Sequence, residues 1–241
     1  MNKIKEFFLE LFFPCFCLGC KKEGTYLCED CKEILEISEF QYCLCNKNPL
    51  RILTGRKSGK CERCRHKKLS GIYSALPYKE KSLTRDLILK FKYDPYIKGL
   101  AKTLAGLLTE HLVKSGKNTE HIWKNSVLAP VPAHKKKLRE RSYNQSEELA
   151  KELSCIIQVP MAKNSLVKIK KTLPQAGLSG KQREKNLVGA FLIKNQEQIS
   201  GKKVFLVDDV YTTGSTMEEC ATQLLKSGAK QVWGIVVARE G

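Results

Sequence analysis

Apolar and polar residues follow a regular pattern along the chain from about residue 70 onward. The short apolar runs "GIYSALPYK", "SVLAPVP", "KVFLV" and "QVWGIVVA" predict strands, and amphipathic segments between them predict helices. Between Met217 and Leu225, for example, apolar residues recur at the spacing of one helix face. Strands that alternate with helices and are apolar throughout predict an α/β domain whose mostly parallel sheet is covered on both faces.

A further helix is predicted to begin after Asn144, which forms a capping-box pattern with Glu147. Its apolar stripe, expected to be buried, consists of Leu149, Leu153 and Ile156. Cys155 and Cys220 also fall on apolar helix faces, so we expect both thiols in the core. The polar run 163–186 has no clear period and is interpreted as a mobile loop.

Nine of the eleven cysteines lie in the first 64 residues, and composition changes near Ser70, which predicts a cysteine-rich domain over residues 1–70 and a second domain over residues 71–241. Close thiol pairs favour one or two closed structural zinc sites in a reducing compartment. Sequential and interleaved groupings of the pairs both stay open, and Cys15 could replace Cys17. The predicted ligands are Cys17, Cys20, Cys28, Cys31, Cys43, Cys45, Cys61 and Cys64.

The formal charge of +18 and the pI near 9.4 indicate a polyanionic partner. Two zinc ions held by eight thiolates would leave about +14, so the surface stays basic. The segment "RILTGRKSGKCERCRHKK" could contact nucleic-acid phosphates or be a charged surface on a stabilising module. Its basic residues are Arg51, Arg56, Lys57, Lys60, Arg63, Arg65, Lys67 and Lys68.

The turn in "KKVFLVDDVYTTGST" carries the most specific chemistry. It follows a predicted strand and precedes a predicted helix, the place where parallel sheets bind ligands. Amides of residues 212–216 can converge on a phosphate there, and Gly214 permits the tight backbone path. Asp208 and Asp209 suit the hydroxyl groups of a sugar, together with Mg²⁺. The combination predicts a phosphorylated sugar as ligand.

The string "VFLVDDVYTTGST" resembles the phosphoribosyl pyrophosphate (PRPP) motif of type I phosphoribosyltransferases. Over nearly its whole length the chain resembles the ComF family of competence proteins, through "PVPAHKKKLRERSYNQ", "TLPQAGLSGKQREKNLVGAF" and the cysteine pairs. It departs from that family at Ser142, where glycine is usual, and in the shortened Cys43-x-Cys45 pair. The resemblance implies a type I phosphoribosyltransferase-like fold with a small N-terminal zinc-ribbon domain.

The resemblance also implies roles for individual residues. Asp208 and Asp209 would hold the ribose, and Arg183, near Gln175 and Asn186, would lie in a flexible catalytic loop. Lys90 and Lys92 would line the same cleft or lie on the solvated side of a helix. The pyrophosphate would meet Val131, Pro132, Ala133, His134, Arg139 and Arg141, and the 5′-phosphate would meet Thr212, Thr213, Gly214, Ser215 and Thr216.

These features predict a cytoplasmic competence protein that binds single-stranded DNA during natural transformation and also binds PRPP with Mg²⁺. A DNA helicase or membrane channel is an expected partner, which would place the protein at the inner face of the membrane. The N-terminal apolar run is too short to span a bilayer, so no transmembrane segment is expected. The alternatives are an active phosphoribosyltransferase acting on a nitrogen base and a regulatory module that senses PRPP.

Overall fold

A computed structural model of the protein describes residues 14–53, 58–93, 97–116, 120–170 and 187–240. Its centre is a four-stranded sheet in the order β3-β8-β7-β4, and every neighbouring pair is parallel. The predicted α/β architecture is confirmed. The strands are β3 (Ile72–Pro77), β4 (Ser126–Pro130), β7 (Lys203–Tyr211) and β8 (Gln231–Arg239).

Helices cover both faces of the sheet and create two cores. Along β7, Phe205 and Val207 belong to one core, and Val204 and Leu206 belong to the other. This alternation is the two-residue period of a strand that is buried on both faces. All four strands point the same way, so their carboxyl ends lie at one edge of the sheet.

Three longer helices, α2, α3 and α6, pack in the first core, and α7 packs in the second. Within the described ranges, no helix is both long enough and apolar enough to cross a membrane. The helices are α1 (Glu29–Glu33), α2 (Leu83–Lys92), α3 (Leu100–Lys114), α4 (Glu120–Trp123), α5 (Lys135–Arg141), α6 (Gln145–Ile157) and α7 (Ser215–Lys226).

Two short antiparallel pairs complete the described fold. In the cysteine-rich region β1 (Gln41–Tyr42) pairs with β2 (Arg51–Ile52), and beyond α6 the strand β5 (Leu166–Lys168) pairs with β6 (Phe191–Ile193). Neither pair was predicted from the sequence. Strand β5 lies inside the run interpreted as a loop, and residues 171–186 of that run lie outside the described residues.

Helix α6 begins as predicted but is anchored differently. Asn144 is its N-cap residue, yet its side-chain amide donates to the carbonyl oxygen of Val131 at 3.1 Å and caps no amide of the helix. The predicted capping box is therefore wrong. Cys155 and Ile156 are exposed and were wrongly placed in the core, because the last turn of α6 presents them to solvent. Cys220 is fully buried, as predicted.

Candidate functional site

The paired aspartates lie near the carboxyl end of β7, which runs on to Tyr211 beyond the predicted strand end. Lys92, the last residue of α2, places its Nζ 2.8 Å from Oδ1 of Asp209, whose side chain is only 8% exposed. Ser146, in the first turn of α6, donates from Oγ to Oδ1 of Asp208 at 2.8 Å. Two helices and one strand thus fix the two carboxylates at the strand ends.

The charges of Asp208, Asp209 and Lys92 affect one another. Burial and the neighbouring charge of Asp209 raise the pKa of Asp208 from 3.8 to about 7, although Lys92 and Ser146 act in the opposite direction. Burial opposes the charged form of Lys92, but the carboxylates outweigh it and raise the pKa of that lysine. Asp208 is therefore a carboxyl group near its point of half-ionisation at neutral pH, beside a fixed Lys92–Asp209 ion pair.

The turn after β7, residues 212–216, contains the groups that were predicted to bind a phosphate, and we call it the phosphate loop. Gly214 adopts a left-handed φ of +79°, and α7 begins directly after it at Ser215. The hydroxyl groups of Thr213 and Ser215 lie 2.9 Å apart. Helix α7 has twelve residues, so the positive end of its dipole points at this turn. The loop combines amides, hydroxyl groups and a helix N-terminus next to the two aspartates.

The segment predicted to bind pyrophosphate follows β4 at the same edge of the sheet. Val131 cannot offer its amide to a ligand, because that N–H donates to the carbonyl oxygen of Val207 at 2.9 Å. Pro132 has no N–H. The expectation of backbone donors therefore narrows to Ala133 and His134, and the His134 ring also accepts a hydrogen bond from the Lys136 amide at 3.2 Å.

Of the two predicted arginines, Arg141 packs over the Tyr93 ring, 5.2 Å from its centroid, and donates to Gln145 at 3.1 Å. Arg139 is exposed on the same short helix. Arg183, the predicted catalytic-loop residue, lies outside the described residues together with Gln175 and Asn186. Thr212 and Thr216 are the first and last residues of the phosphate loop.

Two lysines that the sequence did not single out, Lys137 and Lys168, interact electrostatically with Asp208. Lys137 is exposed on α5, and partial desolvation together with the positive charges of Arg141 and Lys92 lowers its pKa. Burial together with the charge of Lys137 lowers the pKa of Lys168. Lys137 lies in the basic run after "PVPAH", which could have signalled it, whereas Lys168 lies on the unpredicted strand β5. We call Lys92, Lys137, Arg141 and Lys168 the cationic cluster.

Lys90 and Lys92 have different surroundings. Lys92 lines the aspartate site through its ion pair with Asp209. Lys90 instead lines a surface cavity with Leu18 and Tyr93, beside the cysteine-rich region. Neighbouring positions on one helix therefore contact different parts of the molecule.

The eight predicted cysteine ligands form two tetrads, in each of which the sulfur atoms lie within 4.8 Å of one another. The grouping is sequential rather than interleaved, and Cys15 belongs to neither tetrad. The first tetrad consists of Cys17, Cys20, Cys28 and Cys31, and the second of Cys43, Cys45, Cys61 and Cys64.

Both tetrads fit a tetrahedral zinc ion. Sulfur atoms separated by 3.5 Å (Cys20–Cys28) and 3.6 Å (Cys45–Cys61) match the roughly 3.8 Å edge expected when four thiolates bind zinc at about 2.3 Å. Burial opposes ionisation of Cys17 and Cys61, but hydrogen bonds from backbone amides and neighbouring thiols outweigh it and lower the pKa of each thiol from 9.0 to about 6. The pKa values of Cys31 and Cys45, one in each tetrad, are raised to about 12 by the neighbouring thiols and by burial. A zinc ion held by four thiolates would cross-link the chain and leave no position for a reacting water.

The described basic residues of this segment divide into those with internal contacts and those that are exposed. Lys60 donates to the carbonyl oxygen of Lys67 at 2.9 Å, and Lys67 donates to that of Leu44 at 2.8 Å, so these two ammonium groups stabilise the cysteine-rich region. Arg56 and Lys57 lie outside the described residues. The exposed basic residues, which we call the basic surface, are Arg51, Arg63, Arg65 and Lys68.

The sheet is parallel, and paired acidic residues at the end of one strand are followed by a glycine turn and a helix N-terminus. This arrangement defines a phosphoribosyltransferase-like protein. In this chain it is joined to two cysteine tetrads. The profile of the phosphoribosyl transferase domain family matches residues 141–241. That range contains β7, the phosphate loop, α7 and β8.

The chain is 37% identical to Competence protein F of Haemophilus influenzae over 155 residues, covering 63% of this chain and 67% of that protein. It is 27% identical to Competence protein ComFC of Streptococcus pneumoniae over 217 residues, covering 88% and 87%. It is 34% identical to DNA utilization protein YhgH of Escherichia coli over 108 residues, covering 44% of this chain and 47% of that protein. The chain belongs to the ComF family of competence proteins.

Proposed function

We propose that the protein binds a phosphorylated ribose, PRPP, at the carboxyl edge of the sheet and single-stranded DNA through its basic surface. In this proposal it acts in the cytoplasm on DNA taken up during natural transformation. A DNA helicase or membrane channel would bring it to the inner face of the membrane. The names of its relatives support a role with incoming DNA.

The observation that carries the PRPP proposal is the placement of the aspartate pair between two sets of anion-binding groups. On one side lies the phosphate loop at Gly214. On the other lies the cationic cluster, in which desolvation and neighbouring positive charges lower the pKa values of Lys137 and Lys168. PRPP has this order of groups: a 5′-phosphate, a ribose with two hydroxyl groups, and a pyrophosphate.

The carboxylates suit the middle of that ligand. Sugar hydroxyl groups donate hydrogen bonds to carboxylates, and carboxylate oxygens are ligands that Mg²⁺ prefers. Lys92 holds Asp209 in place, and Ser146 holds Asp208, so neither side chain needs to be ordered when the ligand arrives. In this proposal Asp208 and Asp209 would hold Mg²⁺, which would neutralise negative charge on the pyrophosphate.

Calorimetry with PRPP and Mg²⁺ tests this site. We expect binding by the wild-type chain and loss of at least about tenfold in affinity when Asp208→Ala and Asp209→Ala are combined, because charge-assisted hydrogen bonds contribute about 1.5–3 kcal/mol each. Glu147→Ala, an exposed change on α6, is the matched control and should bind as the wild type does. Equal affinity of all three proteins would refute the ribose assignment.

Adding a nitrogen base or DNA to the PRPP complex separates the alternatives for this site. Release of pyrophosphate when a nitrogen base or DNA is added would show a transferase. Binding of PRPP without release, accompanied by altered DNA affinity, would show a regulatory module.

The DNA proposal depends on the basic surface and on electrostatics. Arg63 and Arg65 are exposed around the second tetrad, and Lys68 is exposed four residues beyond its last ligand. Removing one side chain that neutralises a phosphate of a single strand lowers the steepness of log affinity against log salt by about 0.7. Changing all three residues to glutamine should therefore lower that slope by about 2 for a labelled oligonucleotide.

Exposed lysines elsewhere provide the control for this experiment. Lys102 and Lys151 are exposed on α3 and α6, helices that cover the other core. Their change to glutamine removes charge of the same kind away from the basic surface. If both sets of variants lowered the slope by the same amount per charge removed, binding would be a property of net charge and not of the proposed surface.

A further inference from the structure

The second cysteine tetrad lies directly beside the phosphate loop, and one tyrosine joins them. We propose that Tyr211 is a positioning residue through which zinc in the second tetrad holds the phosphate loop in its binding conformation. Metal occupancy of this tetrad would thereby control affinity for the phosphorylated ribose. This inference rests on the proposed function of the loop.

Tyr211 is the last residue of β7 and is 1% exposed. Its hydroxyl group donates to the carbonyl oxygen of Leu44 at 3.2 Å. Leu44 lies between two cysteines of the second tetrad, Cys43 and Cys45, so zinc bound there would fix this carbonyl group. The loop is thus attached to the metal ligands by one residue and one hydrogen bond.

The same, hydroxyl-bearing end of the tyrosine ring also lies against the loop. Gly214 has φ of +79°, and a Cβ added there would collide with the Tyr211 ring. The glycine is needed for two independent reasons, its backbone conformation and the closeness of the ring. Because the ring fills the space under the loop, any shift of Tyr211 changes the position of the amides that would bind the phosphate.

Lys67 reinforces the connection from the same side. Its Nζ donates to the carbonyl oxygen of Leu44 at 2.8 Å and lies 3.0 Å from the Tyr211 hydroxyl oxygen. Lys67 follows the last ligand of the tetrad by three residues. Lys67, which was predicted to contact DNA, therefore helps to hold the phosphate loop in place.

Two further residues, one on each side of the loop, contact the cysteine-rich region. Arg239, paired with Tyr211 across the sheet, donates to the carbonyl oxygens of Cys43 at 3.0 Å and Cys45 at 2.7 Å. Glu218, in the first turn of α7, accepts the amide of Lys68 at 2.7 Å. The end of the sheet and the start of the helix that follows the loop are thus both attached to the backbone around the second tetrad.

The first tetrad has different neighbours and supplies the control. Its residues Cys17, Cys28 and Cys31 share the core of α2 and α3. Lys32, next to this tetrad, forms an ion pair with Glu110 on α3 at 3.1 Å. Loss of zinc there is expected to loosen those helices while leaving the phosphate loop in place.

The test uses the full chain and compares three variants: Tyr211→Phe, the pair Cys45→Ser and Cys61→Ser, and the pair Cys20→Ser and Cys28→Ser. Hydrogen exchange of the amides in residues 212–216 reports loop order without any ligand. We expect faster exchange in the first two and wild-type exchange in the third. PRPP affinity should fall about fivefold in Tyr211→Phe, as expected when one hydrogen bond is removed, while its zinc content stays at that of the wild type.

A reciprocal measurement covers the case in which a cysteine variant fails to fold. If zinc and loop are coupled, saturating PRPP must slow zinc loss from the wild-type second tetrad to a chelator, and Tyr211→Phe must reduce that protection. Unchanged exchange at residues 212–216 in Tyr211→Phe together with unchanged protection would overturn the inference. Wild-type protein that binds no PRPP but still shows the exchange differences would refute the proposed function and leave the connection intact.

Discussion

At the scale of single residues, ionisation of the Asp208 carboxyl group changes the free energy of unfolding. Its pKa is raised to about 7 from 3.8, so the folded protein binds this proton more tightly than the unfolded chain does. The free energy of unfolding should therefore fall as pH rises from about 4 to about 7. Asp208→Asn keeps the acceptor for Ser146 and should be more stable than the wild type at pH 8, by on the order of 1–2 kcal/mol.

Urea denaturation followed by circular dichroism between pH 4 and pH 8 measures this difference. The advantage of Asp208→Asn should shrink toward zero near pH 4, where both side chains are neutral. A difference that stays constant across the range would mean that Asp208 is already ionised at low pH.

Lys92 provides a second prediction at this scale. Lys92→Met leaves Asp209 buried without its partner, which should cost about 2–3 kcal/mol of stability at pH 8. Lys90→Met, on the same helix, removes an ammonium group that lines a surface cavity and should change stability by less than about 0.5 kcal/mol. Adding Asp209→Asn to Lys92→Met should restore most of the loss. Equal effects of the two lysine changes in thermal denaturation would place Lys92 on the solvated face.

At the scale of elements, the start of α6 distinguishes a helix cap from a tertiary contact. Asn144→Ala removes the donor to the buried Val131 carbonyl group and should cost about 1–2 kcal/mol. Glu147→Ala should cost less than about 0.5 kcal/mol, because Glu147 is exposed and no capping box forms. A capping box would instead make both changes costly. Chemical denaturation of the two variants decides between these arrangements.

The same helix shows which features can be predicted from sequence and which cannot. Leu149 and Leu153 were placed correctly from their spacing, because burial of one helix face is a local property. The partner of Asn144 was not, since it depends on which loop the tertiary fold brings alongside. Similarly, the string around Asp208 and Gly214 predicted the aspartate pair and the loop, whereas Ser146 and Lys168 come from segments that carry no comparable pattern and join the site only through folding.

At the scale of the whole molecule, the cysteine-rich region contributes to both cores of the sheet. Cys17, Cys28 and Cys31 lie in the first core, and Cys43 and Cys64 lie in the second. The cysteine spacing predicted the two tetrads, but it could not show that Tyr211 and Arg239 contact the backbone beside them. Sequence spacing specifies which thiols meet, while docking onto the sheet depends on surfaces far apart in the chain.

This shared burial predicts how the molecule responds to loss of zinc. Trp233, on β8, lies against Gly59 and Gly71, so in a Trp123→Phe background its fluorescence reports on the contact between the cysteine-rich region and the sheet. We expect a chelator to lower the Tm seen by this fluorescence and by helix circular dichroism together. A loss of about 4 kcal/mol, well below the zinc affinity of small peptides, corresponds to about 8–16 °C. If residues 1–70 folded independently, fluorescence and circular dichroism would instead give two separate transitions, and only the first would move with the chelator.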